Sequence, residues 1–536
     1  MRITSLGHAG LLLETAVGRI VCDPWFNPAF YGSWVPFPDN SGIDPRQFAD
    51  AEYLYVSHLH RDHFDAQFLH EHMSKDTTVL LPDYPVPELR RELEALGFRN
   101  FVQTRNNEVV ELDGGLRVLV NALTKPTKSP VGDSGLVVDD GRVRIYNQND
   151  SRPVETVPIA RLGPLHGHFV QFTGANWYPM VYDFADEEKA DIGLRKRYNG
   201  MSRAVSYIEH YGAAHVFPFA GPTCFLDDDL FDLNDLANDE TNVFPDQFAF
   251  LRFLRERGHE HGHLFLPGTV VTLAPDGTAE IDQVPEAEIA RIRDDRRSYL
   301  LDYKRKVQPL IDAGKTALPT DRSDLLGQLK EWVEPLLAIA DNVCARVNGR
   351  VLLEVVDGDS CEQIVFDFLD RRVARYAGER WRDRFRVARP LVEDLVRQRV
   401  EDWANELFLS CRFGASRRDG YNEYVYTFFQ CLSVERMTFV ESCFEESSDI
   451  KDFARAGDRV IQRRCPHMNA DLVAFGTVDD GVLTCQMHGW EFDLATGKCL
   501  VGDGRRLTSR PLRADAEGAV ADAAYPTVDD GRGLSG

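Results

Sequence analysis

Three imidazoles and a carboxylate crowd six consecutive positions, His58, His60, Asp62 and His63, in the stretch Ser57-His58-Leu59-His60-Arg61-Asp62-His63. Side chains of this kind are metal donors, and a solvated loop has no reason to concentrate them. The apolar run Tyr53-Leu54-Tyr55-Val56 precedes them, so the stretch reads as a loop leaving a buried strand. Alternation along an extended chain sends His58 and His60 to one side, and a turn from Arg61 carries Asp62 and His63 to a neighbouring point, a layout for two metal ions side by side. A second donor set lies far away, at Cys465-Pro466-His467 and, seventeen residues on, Cys485-Gln486-Met487-His488. Each loop offers one thiolate and one imidazole. The four suit either tetrahedral zinc or an iron–sulfur pair with thiolates on one iron and imidazoles on the other.

The elements that must position these groups follow from hydrophobic pattern and turn chemistry. Short strands are expected at 2–6, 11–15 and 19–22, separated by glycine turns and closed by Asp23-Pro24. Further strands are expected at 144–146, 350–355, 363–369, 372–376, 459–463 and 482–484. Helical spacing predicts continuous helices over 286–313, 325–345 and 391–407, the first lying on the surface of the N-terminal domain. In the run 405–429, Arg412, Arg417 and Arg418 stand beside aromatic residues, where they would face an anionic substrate or, as arginines near a turn usually do, water.

The segments SLGHAGLLLE, IVCDPWF and SHLHRDHFD, in that order and spacing, resemble the opening of the metallo-β-lactamase fold, in particular its UlaG-like branch. The resemblance implies an αββα sandwich with a two-metal cleft at the sheet edge. His58 and His60 would serve one metal, Asp62 and His63 the other, with Asp23, and His8 beside it, in supporting positions around the ligands. In the zinc hydrolases of the family the next ligand is a histidine; here Asp133 stands at that position, and Asp150 matches the bridging aspartate. The family's last histidine is missing from Phe217-Pro218-Phe219-Ala220-Gly221, with His166, His168 and His215 as substitutes between which the sequence does not choose. A mixed His and carboxylate set suits non-haem iron, one or two ions, better than zinc. CPHMNADL and HGWEFD in turn resemble Rieske loops, which implies a [2Fe-2S] cluster held by Cys465, His467, Cys485 and His488. Neither loop has the additional cysteine of respiratory Rieske proteins, so the oxygenase or ferredoxin kind is implied.

Length, 536 residues, implies two or three domains: a metallo-β-lactamase-like metal domain at 1–280, an α+β connecting region at 281–445 and a small all-β Rieske domain at 446–536. A formal charge of -24 excludes a nucleic-acid-binding surface, and no run approaches a membrane span. Ten cysteines, mostly scattered, and no signal-peptide pattern make the cytoplasm the expected compartment. Ring-hydroxylating Rieske oxygenases carry their iron after the cluster, yet the 48 residues after His488 contain no histidine, leaving the N-terminal cleft as the place for catalytic iron. The same two modules, in the opposite order, occur in CMP-N-acetylneuraminate hydroxylase, resembled also in TGANWYP (173–179) and FPFAGP (217–222). The expectation is a non-haem iron monooxygenase acting with O2 on a small molecule, fed through the Rieske cluster by a ferredoxin or flavoprotein reductase. Trp490, beside His488, is a candidate packing or coupling group. The alternatives are a zinc hydrolase with a Rieske redox sensor, and an electron-transfer protein.

Overall fold

The computed structural model describes residues 1–123, 132–174, 176–236, 240–445, 452–502, 504–512 and 525–529. The N-terminal strands are β1 (Arg2–Gly7), β2 (Gly10–Thr15), β3 (Gly18–Cys22), β4 (Tyr53–Tyr55), β5 (Thr78–Leu81) and β6 (Asn100–Gln103), then β7 (Val109–Glu111), β8 (Arg117–Ala122), β9 (Ser134–Asp139), β10 (Arg144–Asn149), β11 (Gly167–Gln171), β12 (His215–Phe219), β13 (Val270–Leu273) and β14 (Ala279–Asp282). One sheet runs β14-β13-β1-β2-β3-β4-β5-β6, the other β12-β11-β10-β9-β8-β7. Alternation explains the near-continuous apolar strands. Leu11, Leu13, Ile20 and Cys22 face the second sheet in one core, while Leu12 and Val21 face outward to helices Ala66–His72 and Glu88–Ala95 in another. On the second sheet Val118, Leu136, Ile145 and Phe169 fill the shared core, and Val170 and Val216 pack outward on helices Asp186–Tyr211 and Gln247–Arg255. The result is the αββα sandwich expected from the sequence.

The stretch expected as one helix over 286–313 is two, Glu286–Asp294 and Arg296–Thr316. At the break the Arg296 side chain bonds the Ile292 carbonyl at 2.9 Å, and both helices pack on the sandwich through Ile289, Ile292, Tyr303 and Ile311. The helix expected over 325–345 also divides, into Leu325–Ile339 and Asp341–Val347. A remote carboxylate causes it: Glu441 accepts from the Asn342 and Val343 amides at 2.8 and 2.9 Å, capping the second helix. The helix expected over 391–407 runs Arg389–Arg397 only, because Arg399 turns left-handed (φ 52°), and a separate turn follows at Ala404–Phe408. Between these helices a five-stranded sheet is built from Arg350–Asp357, Ser360–Asp367, Arg372–Arg375, Asp383–Ala388 and Phe413–Arg417.

The C-terminal unit is two small antiparallel sheets, Phe453–Ala456, Arg459–Gln462 and Ser509–Pro511, and Gly476–Asp479, Val482–Cys485 and Trp490–Asp493, with one helical turn at Leu472–Phe475. It docks on the outer face of the second sheet, where Leu119, Val137, Tyr207 and Tyr211 share one apolar cluster with Phe475, Leu483 and Phe492. Buried ion pairs seat the middle unit on the sandwich: Arg436, held within its own unit by Asp402 at 2.9 Å, bonds Glu88 at 2.6 Å, and Arg412 bonds Asp227. A buried charge that keeps such hydrogen-bonded partners fixes the orientation of the parts it joins. Among the described residues there is no disulfide, and no helix is long and apolar enough to cross a membrane.

Candidate metal centre

Four loops at one end of the sandwich turn sharply. His8, Asp23, Asn149 and Ala220 all have left-handed backbones (φ 50°, 40°, 43° and 48°), a conformation non-glycine residues adopt only where the surroundings impose it. At the end of β10 the pairing register to β11 slips between Asn147 and Asn149. The Asn149 side chain then donates from Nδ2 to the Ser134 carbonyl at 2.8 Å, and Asp150 is thrown out of the strand toward His58 and His63. A side chain at Gly135 would meet the Tyr146 ring at 2.8 Å, so only glycine lets β9 start directly behind Asp133.

These turns bring the donors into two groups, His58, His60, Asp133 and Asp150 in one, His8, Asp62 and His63 in the other. His58 Nε2 lies 2.7 Å from His60 Nδ1, 3.7 Å from an Asp133 oxygen and 3.8 Å from an Asp150 oxygen. His63 Nε2 lies 3.5 Å from Asp150 and 3.7 Å from Asp62, so Asp150 stands between the groups. Separations of 3.5 to 3.8 Å are too long for hydrogen bonds and close to the spacing of adjacent ligands around an ion about 2.1 Å from each. His63 Nε2, Asp62 Oδ1 and Asp150 Oδ1 are buried without a hydrogen-bond partner, which a protein interior tolerates where another species satisfies them. The residues therefore fit two ions.

The surroundings hold these donors in place. Asp23 accepts from the Ser57 amide and hydroxyl at 2.7 Å each, and its second oxygen lies 3.0 Å from His63 Nδ1, which leaves Nε2 facing Asp62 and Asp150. A carboxylate behind a ligand imidazole is the usual means of fixing ring and tautomer. Burial holds the His58 imidazolium well below its ordinary pKa, so the ring is neutral and its lone pair is available. Burial and the adjacent Asp150 push Asp133 up; burial opposes charge on Asp150 too, but His63 and His58 outweigh it and hold Asp150 down.

His8 sits nearer this machinery than a supporting position requires, its Nε2 3.0 Å from Asp62. The Ala220 amide donates to the His8 carbonyl at 3.1 Å, so the segment lacking the family's last histidine abuts the loop that carries His8. The three proposed substitutes are elsewhere. His168 is fully buried beside Gln148 (2.8 Å) and under Tyr146, His166 faces Pro275, and His215 pairs with His263. Asp65 is structural, capping helix Ala66–His72 at the Phe68 amide and holding the Phe26 and Asn27 amides.

In the C-terminal unit the two loops face each other. Cys465 and Cys485 are buried, and the His467 and His488 rings lie 4.7 Å apart, nearly perpendicular. The Cys485 thiol and the amides of His467 and Met468 hold Cys465 low, and the same contact raises Cys485. Two thiols and two imidazoles converging from two loops fit a [2Fe-2S] cluster. Trp490 stacks on His467, centroids 4.4 Å apart, and Glu423 of the middle unit lies 3.3 Å from His467 Nε2 while bonding Arg505 at 2.7 Å.

A family model described as a Rieske [2Fe-2S] domain matches residues 450–508, and one described as Rv3818-like, SCP2-like domain matches 325–446. Over 519 residues, 96% of the chain and 100% of the relative, the chain is 42% identical to a protein of Mycolicibacterium smegmatis named as a Rieske 2Fe-2S iron-sulfur protein. This chain belongs to that family. The chain is also 26% identical over 234 residues, 41% of its length and 38% of the relative's, to cytidine monophosphate-N-acetylneuraminic acid hydroxylase of Macaca mulatta. Among solved structures, isothiocyanate hydrolase from Delia radicum gut bacteria is similar at 14% identity and a TM-score of 0.35, over 51% of this chain and 100% of that one. The chain joins an αββα sandwich to a C-terminal Rieske domain.

The sequence did not point to Glu423 or Tyr207. Glu423 lies inside the run 405–429, in which charged and aromatic residues alternate beside Arg417. That density was the available signal. Of its arginines, only Arg418 is exposed, lying over Trp381; Arg412 is half-buried on Asp227, and Arg417 packs over Tyr178 and Tyr182.

Proposed function

We propose that this protein is an oxygen-dependent non-haem iron monooxygenase, hydroxylating a C–H or N–H bond of a small molecule, in the cytoplasm, with electrons entering from a ferredoxin or flavoprotein reductase. When bound, a Rieske cluster supplies single electrons, and iron held by imidazoles and carboxylates supplies the binding and reduction of O2. The observation that carries this reading is the link between the two sites within one chain. The Tyr207 hydroxyl lies 3.0 Å from the Met487 sulfur, one residue before His488, and donates at 3.0 Å to the carbonyl of Pro153, three residues after Asp150. Hydrolysis would give such a link nothing to do.

His58, His60, Asp133 and Asp150 would hold one ion, and His8, Asp62 and His63 the other, with Asp23 orienting His63. Each set has two imidazoles and at least one carboxylate, the donor mix of non-haem iron sites that leave positions open. His467 and His488 would hold one iron of the cluster, and Tyr207 contacts the loop beside His488 at Met487. The named activity of the partly matching hydroxylase agrees with this chemistry.

The test is elemental analysis of protein from iron-replete aerobic growth, together with the reduced-minus-oxidised spectrum and reductase-driven O2 uptake. The expected result is acid-labile sulfide with iron in excess of the two atoms of the cluster. Zinc as the sole cleft ion, with activity independent of O2 and reductant, would establish a hydrolase instead.

A further inference from the structure

A cavity of about 480 Å³ opens where the three units meet, within the range of small-molecule sites. Its floor is one stripe of helix Asp186–Tyr211, in which Lys196, Asn199, Gly200 and Arg203 recur at helical spacing. Opposite stands Arg152, two residues beyond Asp150, and the roof carries the Rieske residues His467 and His488. Six arginines and lysines line the cavity against two glutamates, in a chain whose net charge is -24.

Three of these cations, Arg152, Lys196 and Arg203, have no acidic partner in the cavity among the described residues. Of the two glutamates, Glu423 is bonded to Arg505 and lies beside His467, and among the described residues neither it nor Glu491 forms an ion pair with Arg152, Lys196 or Arg203. The contacts of Lys196 and Arg203 are backbone carbonyls, Tyr178 at 3.0 Å and Met487 at 3.5 Å. Burial and the neighbouring arginines depress both, Lys196 to about 7 and Arg203 to about 9. Arg203 is buried and Lys196 and Arg152 are half-buried, so their uncompensated charge is costly, most of all at Arg203, and an anionic ligand removes that cost. Trp177 and Tyr426, ring centroids 5.5 Å apart and tilted by 36°, supply an aromatic wall beside the charges.

We propose that this cavity binds a small organic anion of at least two negative charges, a phosphate ester or a polycarboxylate, between the Rieske histidines and the segment bearing Asp150. The inference deepens the monooxygenase reading, on which it rests only for calling the ligand a substrate. Lys196, Arg203 and Arg152 grip the oxyanion, and the aromatic wall receives the body.

The probes are phenyl phosphate and isophthalate, titrated calorimetrically into the cluster-loaded protein at fixed ionic strength, with the electron paramagnetic resonance of the reduced cluster recorded alongside. We expect one saturable site per chain and a shifted cluster signal, because His467 and His488 form the roof. Lys196→Gln and Arg203→Gln should each weaken binding about tenfold, the scale of one charge-assisted hydrogen bond. Binding of the phosphate alone assigns a phosphate ester, and of isophthalate alone a polycarboxylate. Failure of both probes, or unchanged affinity in Lys196→Gln, overturns the proposal. Lys196→Gln decides the matter even if Arg203→Gln, which loses a bond to the Rieske loop, fails to fold. Neither readout involves turnover, so a negative result here leaves the iron and O2 measurements standing, and a negative result there leaves this one standing.

Discussion

The two donor sets of this protein are built in opposite ways. The Rieske loops are local: four ligands come from two short segments at the ends of strands Arg459–Gln462 and Val482–Cys485, one in each small sheet, and 24 residues, 465 to 488, span the whole set. The cleft is dispersed, its donors running from His8 to Asp150 and aimed by left-handed turns at His8, Asp23 and Asn149. A local site stands or falls with its own ligands, whereas a dispersed one also depends on the residues that aim them.

The largest effect should follow from altering a ligand of the local site. His467→Cys replaces an imidazole by a thiolate, which moves a Rieske potential toward the lower, all-cysteine range, near −400 mV for plant-type ferredoxins. Reductase-driven turnover should cease while cleft iron stays at its original stoichiometry, checked by redox titration and metal analysis on one sample. Retained turnover would break the proposed order of electron flow.

Next comes the aim of the dispersed site. Asp23→Asn keeps the size of the side chain but removes the carboxylate 3.0 Å from His63 Nδ1. Loss of such a partner lowers metal affinity roughly 10- to 100-fold. Chelator competition should show that weakening in the cleft with an unaltered visible spectrum from the cluster, and an equal loss at both sites would contradict their independence.

The same contrast explains what the sequence revealed. The Rieske loops and His58 to His63 are legible because ligand and spacing lie together in the chain. His8 is legible only as a supporting group, since a single histidine in a glycine turn carries no sign that Asp62 will come within 3.0 Å of it. The αββα layers follow from alternation, while the helix break at Ala340 depends on Glu441, a hundred residues away. The basic cavity is the extreme case: Arg152 comes from a strand end, Lys196 and Arg203 from a helix and Arg417 from the middle unit. Each reads singly as an ordinary surface cation.

The link between the sites should be less sensitive than either. Tyr207→Phe removes only the hydroxyl that joins Pro153 to Met487 and leaves the ring packed on Phe475. An unpartnered buried carbonyl costs about 1 to 3 kcal/mol, so denaturant unfolding should show a loss of that size. Stopped-flow mixing of prereduced protein with O2 should show slower cluster reoxidation with both metal contents unchanged; an unaltered rate would mean that electrons take another path.

The smallest effect is a pH dependence of anion binding at Lys196. Its neighbours are Arg152 and Arg203, whose charges repel the ammonium, and Tyr178, whose carbonyl accepts from Nζ and whose ring lies 5.3 Å away. With burial these hold the pKa near 7, so the side chain is charged below that pH and loses its proton above it. A bound dianion favours the charged form, and binding must therefore take up a proton above pH 7 and weaken as pH rises. Affinity for phenyl phosphate should fall several-fold between pH 6.5 and 8.5, by no more than the contribution of one charged contact of about 1.5 to 3 kcal/mol. In Lys196→Gln the slope should vanish over that interval, while Arg203, held near 9, stays charged through most of it. A slope that persists in the variant would place the titrating group elsewhere on the wall.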